Sequence, residues 1–334
     1  MFKRRLLRLA AAALAVVAML VATAASASSH QVRVGVLKFG TVHWELDVIR
    51  THRFAEQQGI DLQIVELGSK RATAVALQGG GADVMVTDWI WVSRQRAEGR
   101  DYAFAPYSLS IGGLMVRPDA GIADLGDLRG RKVGVAGGPV DKSWLLLQAY
   151  ARREGLDLPT SVEPVFGAPP LLNELLQRGD LPAVLNFWHY NARLKAAGMK
   201  ELLTAAEILP RLGVERPIPL LGWVFNRAWA NENRDSVDGF LRASYSAKHL
   251  LLESDAEWER LEPKMKVSDA ATAAALRDAY RLGIPRAFGA ADREAAARAF
   301  AILAQEGGEK LVGSSDTLTP GTFWTEFDPA RWRQ

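Results

Sequence analysis

The segment Gly137-Gly138-Pro139-Val140-Asp141-Lys142-Ser143 combines residue types suited to holding a small charged solute. Two glycines let a ligand approach the backbone. A helix opening near Asp141 presents unsatisfied N–H groups with partial positive charge to an anion. Asp141 itself has the residue type and position of a helix cap, and a cap leaves some of those donors free. Gly68-Ser69 offers a similar helix start earlier in the chain. Asp88 follows a buried run, Val84-Met85-Val86, where it could pair with a ligand ammonium or amide or cap the helix starting at Ile90. His43 and His189 fall in comparable loops, where protonation near neutral pH would tune ligand charge.

Tryptophan is the other recurring type at these positions. Trp44, Trp89, Trp188 and Trp223 are each read at a loop following a strand. Their faces could stack on a planar ligand or hold a cation, or each could be a large core residue. Four at matching positions favour a cleft of planar or apolar character, while Trp91, one turn beyond Trp89, reads as core. The expected ligand contacts are Val42, His43, Trp44, Ser69, Asp88, Trp89, Gly138, Pro139, Asp141, Asn186, Trp188, His189 and Trp223, with Lys142 the one cleft lysine. His43, Glu45 and Asp47 lie two apart and cannot share a helix face, so no metal site is expected. A Gly-x-Ser-x-Gly elbow, a phosphate P-loop and a cysteine-rich iron motif are all absent, and neither catalysis nor a cofactor is expected.

These residues need a scaffold that brings loop ends together, and the chain alternates strand and helix twice. Strands are predicted at 32–37, 62–67, 84–86, 132–136, 183–186 and 220–225, with helices at 44–57, 142–153, 171–177 and after Tyr190. Alternation implies parallel pairing through right-handed crossovers. Extended segments at 107–109 and 114–116, followed by the turn cluster 117–121, and the prolines Pro210, Pro217 and Pro219 separate the series, as a hinged protein of two lobes requires. Helices over 237–245, 269–282 and 292–304 are expected to pack back on the first lobe.

Lys3, Arg4, Arg5 and Arg8 precede an apolar run from Leu9 to Ala22, and Ala25-Ser26-Ala27 has the small-residue pattern of a cleavage site. This reads as an export signal over 1–27, its apolar run shorter than the roughly 20 residues of a spanning helix. Without those four cations, 37 basic residues face 38 acidic ones, so the chain offers no electrostatic case for nucleic acid. It has no cysteine, so its folding rests on core burial.

Leu125-Gly126-Asp127-Leu128-Arg129-Gly130-Arg131-Lys132-Val133-Gly134-Val135 resembles the "DLKGKKVGV" segment of periplasmic solute-binding proteins serving nitrate, sulfonate, taurine and thiamine-precursor ABC importers (the NitT/TauT-like family). Gly80-Gly81-Ala82-Asp83-Val84, Asn186-Phe187-Trp188-His189-Tyr190 and Gly222-Trp223-Val224-Phe225-Asn226-Arg227-Ala228-Trp229 are similar to three further steps of that family, in the same order. The sequence departs from the pattern at His189-Tyr190, where relatives often carry Glu-Pro, and at Val42-His43-Trp44. The resemblance implies an α/β, two-lobed periplasmic-binding-protein fold of type II, each lobe a mostly parallel sheet flanked by helices, joined by a double crossover hinge. Lobe 1 would comprise 28–112 and 219–334, and lobe 2 113–218. It further implies a monomeric periplasmic component that captures a planar or anionic organic solute and delivers it to an inner-membrane permease with its ATPase. The alternatives are a periplasmic sensor using the same closure, or an enzyme resembling the synthase that makes the thiamine pyrimidine from its own lysine and histidine.

Overall fold

Val32, Val34 and Val36 alternate along one short run, and Val133 and Val135 along another; in a computed structural model of the chain all five are buried in the centres of two sheets. The structure describes residues 30–38 and 40–332, so the expected signal segment lies outside it. The strands are β1 (His30–Leu37), β2 (Ile60–Leu67), β3 (Val84–Asp88), β4 (Tyr102–Ser108), β5 (Gly113–Val116), β6 (Lys132–Ala136), β7 (Glu163–Gly167), β8 (Ala183–Asn186), β9 (Lys200–Thr204) and β10 (Leu221–Asn226). One sheet has the order β2-β1-β3-β10-β4 and the other β7-β6-β8-β5-β9.

In each sheet four strands share a direction and one opposes them. β1 pairs in parallel with β2 and β3, but β10 is antiparallel to both its neighbours. β6 likewise pairs in parallel with β7 and β8, while β5 runs against β8 and β9. The reversed strands are the ones that follow a passage between sheets, Leu109 to Gly112 and then 212–220. The first passage runs tight against the second sheet: a Cβ on Gly112 would lie 2.1 Å from the Asn186 carbonyl oxygen.

Most predicted elements form. The helix expected over 44–57 is split, because Arg53 adopts a left-handed conformation between Val42–Thr51 and Phe54–Gln57. The edge strands β7 and β9, most of β4 and the helix Ala205–Arg211 lie outside the predicted set. The C-terminal helices also do more than cover the first lobe. Arg234–Glu253 packs on Val42–Thr51, but Ala290–Val312 touches both lobes, Phe300 meeting Trp89 and Glu306 accepting from Arg152 of the second lobe. Among the described residues no helix is long and apolar enough to cross a membrane.

A buried polar cluster pins the first lobe. Glu45, fully buried on Val42–Thr51, pairs with Lys248 and accepts from Ser244 Oγ at 2.5 Å and Tyr280 Oη at 2.8 Å. Ser244 in turn accepts the Trp223 indole N–H at 2.9 Å. Burial draws the Lys248 ammonium below its ordinary range even beside Glu45, so the pair stands on its hydrogen bonds and exact partnering. Removing one charge leaves the other buried and unpaired, so Lys248→Met should cost about 3–5 kcal/mol in urea denaturation. Adding Glu45→Gln to it should recover much of that loss.

Candidate interlobe site

The parallel strands of both sheets end at the gap between lobes, so their loops and the helices that follow converge there. Helix Lys142–Arg153 starts at Asp141, whose Oδ1 accepts from the amides of Ser143 at 2.9 Å and Trp144 at 3.3 Å. Gly137 precedes it with φ +83°, and a Cβ there would fall 2.5 Å from Asp141 Oδ2. Only glycine lets the loop fold back onto its own cap. Across the gap, Asp88 caps Trp89–Ala97 by accepting from the Trp91 amide at 2.9 Å, and Ser69 caps Lys70–Gln78 by accepting from the Ala72 amide at 3.1 Å.

The lobes meet through an ion pair between these helix starts. Lys142 Nζ of the second lobe lies 2.8 Å from Asp88 Oδ2 of the first, both largely shielded from water. Burial would raise the Asp88 carboxyl, but Lys142 and the Trp91 amide outweigh it and hold it below its ordinary value. Lys142 is likewise held above its ordinary range, since Asp88 and Asp141 overcome the cost of burial. For Asp141 burial wins, and its carboxyl is raised. Lys70, whose field reaches both aspartates, places its ammonium 5.4 Å from the centre of the Phe187 ring of the opposite lobe. Two acids and two bases thus face each other, with the Arg94 guanidinium close enough to oppose the charge on Lys142.

A second contact between lobes is aromatic. Trp188 opens the helix Trp188–Ala196 and meets Trp44 edge-on, with centroids 6.2 Å apart, and Tyr280 of helix Ala270–Leu282 at 6.2 Å. Further along the same helix, Arg193 donates to the carbonyls of Met265 at 2.8 Å and Lys266 at 3.2 Å.

Several expected contacts sit elsewhere. Trp223 lies inside β10, whose reversed direction carries its end away from the gap; it is fully buried against Tyr107 and Phe240. Trp89 follows Asp88 but turns into the core against Phe300 and Phe323. Asn186 is buried with its amide committed to the Pro169 carbonyl, Asn173 Oδ1 and the Phe187 amide. Trp44 is 5% exposed, its free edge meeting Trp188. A cleft ringed by four tryptophans is therefore not formed. His189 is pushed down to about 4 by burial, with Arg193 adding to the shift, so it stays neutral near pH 7 instead of tuning charge there.

His43 Nε2 lies 2.9 Å from the Leu37 carbonyl, and Val42 opens the same helix. Gly138 and Pro139 remain in the loop before Asp141, Pro139 exposed. Glu45 is held in the core and Asp47 pairs with Arg260 and Lys264, so with His43 they serve three separate networks. The sequence reading missed Lys70, although its place directly after the Ser69 cap was the available signal.

A family model described as NMT1/THI5 like matches residues 48–257. The chain belongs to this family. No curated protein matches it. Among solved structures, the periplasmic aliphatic sulphonate-binding protein SsuA from Escherichia coli aligns with TM-score 0.71 at 19% identity, over 88% of this chain and 92% of that one. The alkanesulfonate-binding SsuA from Xanthomonas axonopodis pv. citri, bound to MOPS, aligns with TM-score 0.67 at 18% identity over 88% and 98%. The periplasmic nitrate-binding protein NrtA from Synechocystis PCC 6803 is more distant, with TM-score 0.52 at 12% identity over 70% and 65%. At these identities the neighbours establish the two-lobed fold that the NMT1/THI5-like chain shares with them.

The histidine makes a testable contribution to pH dependence. His189 has a folded pKa of about 4, below the unfolded value near 6.5. The unfolded chain therefore takes up the proton first, and stability falls as pH drops from 7 to 5. The His189 share of that loss is about 2 kcal/mol. In urea denaturation, His189→Gln should flatten the difference between pH 7 and pH 5 by that amount.

Proposed function

We propose that this protein is the periplasmic solute-binding component of an ABC importer, closing its lobes on a small organic solute and presenting it to a membrane permease and its ATPase. The observation that carries the reading is the Asp88–Lys142 pair, which joins the lobes where the capped helix starts converge. The sulphonate- and nitrate-binding neighbours support the same role, and the sequence of the first 27 residues supports export. A binding role also suits the histidines, since His189 is neutral and packed among aromatics and His43 is tied to a backbone carbonyl.

The charge pattern narrows the solute. A simple anion that draws Lys142 away would leave Asp88 shielded and unpaired, a costly outcome. A solute bearing both an acidic and a basic group replaces each partner and leaves no charge behind. Trp188 supplies an aromatic edge beside it, so an organic body is favoured over a bare inorganic anion. In isothermal titration of the mature protein, taurine should bind more tightly than ethanesulfonate or nitrate. Lys142→Met and Asp88→Asn should each weaken it about tenfold or more. A preference for nitrate, or affinities unmoved by both variants, would sink this assignment.

A further inference from the structure

A cavity of about 650 Å³ lies away from the Asp88–Lys142 pair, on the hinge side of the molecule. Its walls come from both interlobe passages and from two helices. Helix Trp188–Ala196 contributes a stripe of Trp188, Asn191, Ala192 and Lys195; helix Ala270–Leu282 faces it with Ala275, Ala279 and Leu282. Its size falls within the roughly 300–1,000 Å³ of small-molecule sites, and most of its lining is aliphatic. Of the caps and charges that define the interlobe site, none lines it; Trp188 alone belongs to both places.

The polar residues of the wall give the cavity a sign. Asn191 is 2% exposed and donates through Nδ2 to the Gly113 carbonyl at 2.9 Å, while its Oδ1 is buried with no hydrogen-bond partner. That oxygen is closed off from the cavity, so the sign of the wall is set by its charged groups. The charged groups on the wall are mostly paired already: Lys195 with Glu201 at 3.0 Å, Arg216 with Asp292 at 2.6 Å, and Asp278 with Arg277 at 2.9 Å. Glu215, exposed on the second passage, makes no ion pair or hydrogen bond among the described residues. An unneutralised carboxylate on an aliphatic wall selects an apolar molecule that carries positive charge.

We propose that this cavity is a second ligand site, for a compact amphipathic organic cation, separate from the interlobe site and bounded by the hinge. Its occupant places an aliphatic body against Leu282, Ala275 and Ala279 and directs its ammonium to Glu215. Because both passages form its walls, occupancy is linked to lobe movement, and a solute bound between the lobes alters affinity here by the same factor that this cation alters affinity there.

The test uses 1-adamantylamine and its neutral counterpart 1-adamantanol, titrated into the mature protein by calorimetry. The amine should bind saturably at one equivalent and more tightly than the alcohol. Glu215→Gln, on an exposed non-helical segment, should weaken the amine about threefold to fivefold and leave the alcohol unchanged. Ala279→Phe fills the cavity from one wall and should weaken both at least about tenfold. Equal affinity for amine and alcohol, amine binding that neither variant moves, or no saturable binding overturns the proposal. Taurine binding is measured separately on the same samples, so failure of this site and failure of the interlobe site are told apart.

Discussion

A chain that passes twice between two sheets can enter each sheet only from the edge the two share. The parallel strands of both sheets end at that edge, so a strand arriving there must run against them. β5 and β10 do so, each seated between parallel-running neighbours. Much else is a consequence. Leu221 lies opposite Asp88, which puts the second passage beside a cap of the interlobe site. Gly112 is forced by the closeness of the first passage to the end of β8. Trp223 is carried into the core because its strand leaves the gap it would otherwise face.

The parts of this arrangement written in local signals were legible in the sequence. Helix Lys142–Arg153 has a capping aspartate, two glycines before it and an apolar face, all within a few residues, and it forms as expected. β8 is a short apolar run buried throughout. β7 and β9 were not legible, because as edge strands they are half exposed and mix charge or proline into the run, Glu163-Pro164 and Lys200-Glu201. The candidate site was legible at its helix caps and illegible where it depends on the other lobe. Nothing near Lys70 in sequence announces Phe187, and nothing near Trp89 says which side of its helix faces Phe300. Strand direction and partner lobe are properties of the whole chain, and four similar Trp positions did not reveal them.

The interlobe surface divides into a charged half and an aromatic half with different physical demands. Asp88 and Lys142 neutralise each other at the centre of the charged half, so desolvating the pair together costs far less than desolvating either alone. Trp188 meets Trp44 and Tyr280 by ring edges, and these contacts need no such balance. The Glu45 cluster lies directly behind this aromatic half: Tyr280 takes part in both, so one ring couples the pinned core of the first lobe to the surface that receives Trp188.

Helix Ala290–Val312 adds a mechanical condition. Two bodies joined by two nearby strands of backbone can rotate about the line through them, as a door turns on a pair of pins. This helix is a further tie, beside the packing of Ala270–Leu282 on Trp188–Ala196: it rests on Trp89 of one lobe through Phe300 and on Arg152 of the other through Glu306. A free swing would tear one of those contacts, so any relative motion must slide along the helix or bend it. Gly308, with φ 55° and ψ −160°, already breaks the helix one turn from its end, close to where Gly307 approaches Leu145 of the second lobe. Any swing of the lobes would thus load this helix, and the interruption at Gly308 is the place in it where bending meets least resistance from regular hydrogen bonding.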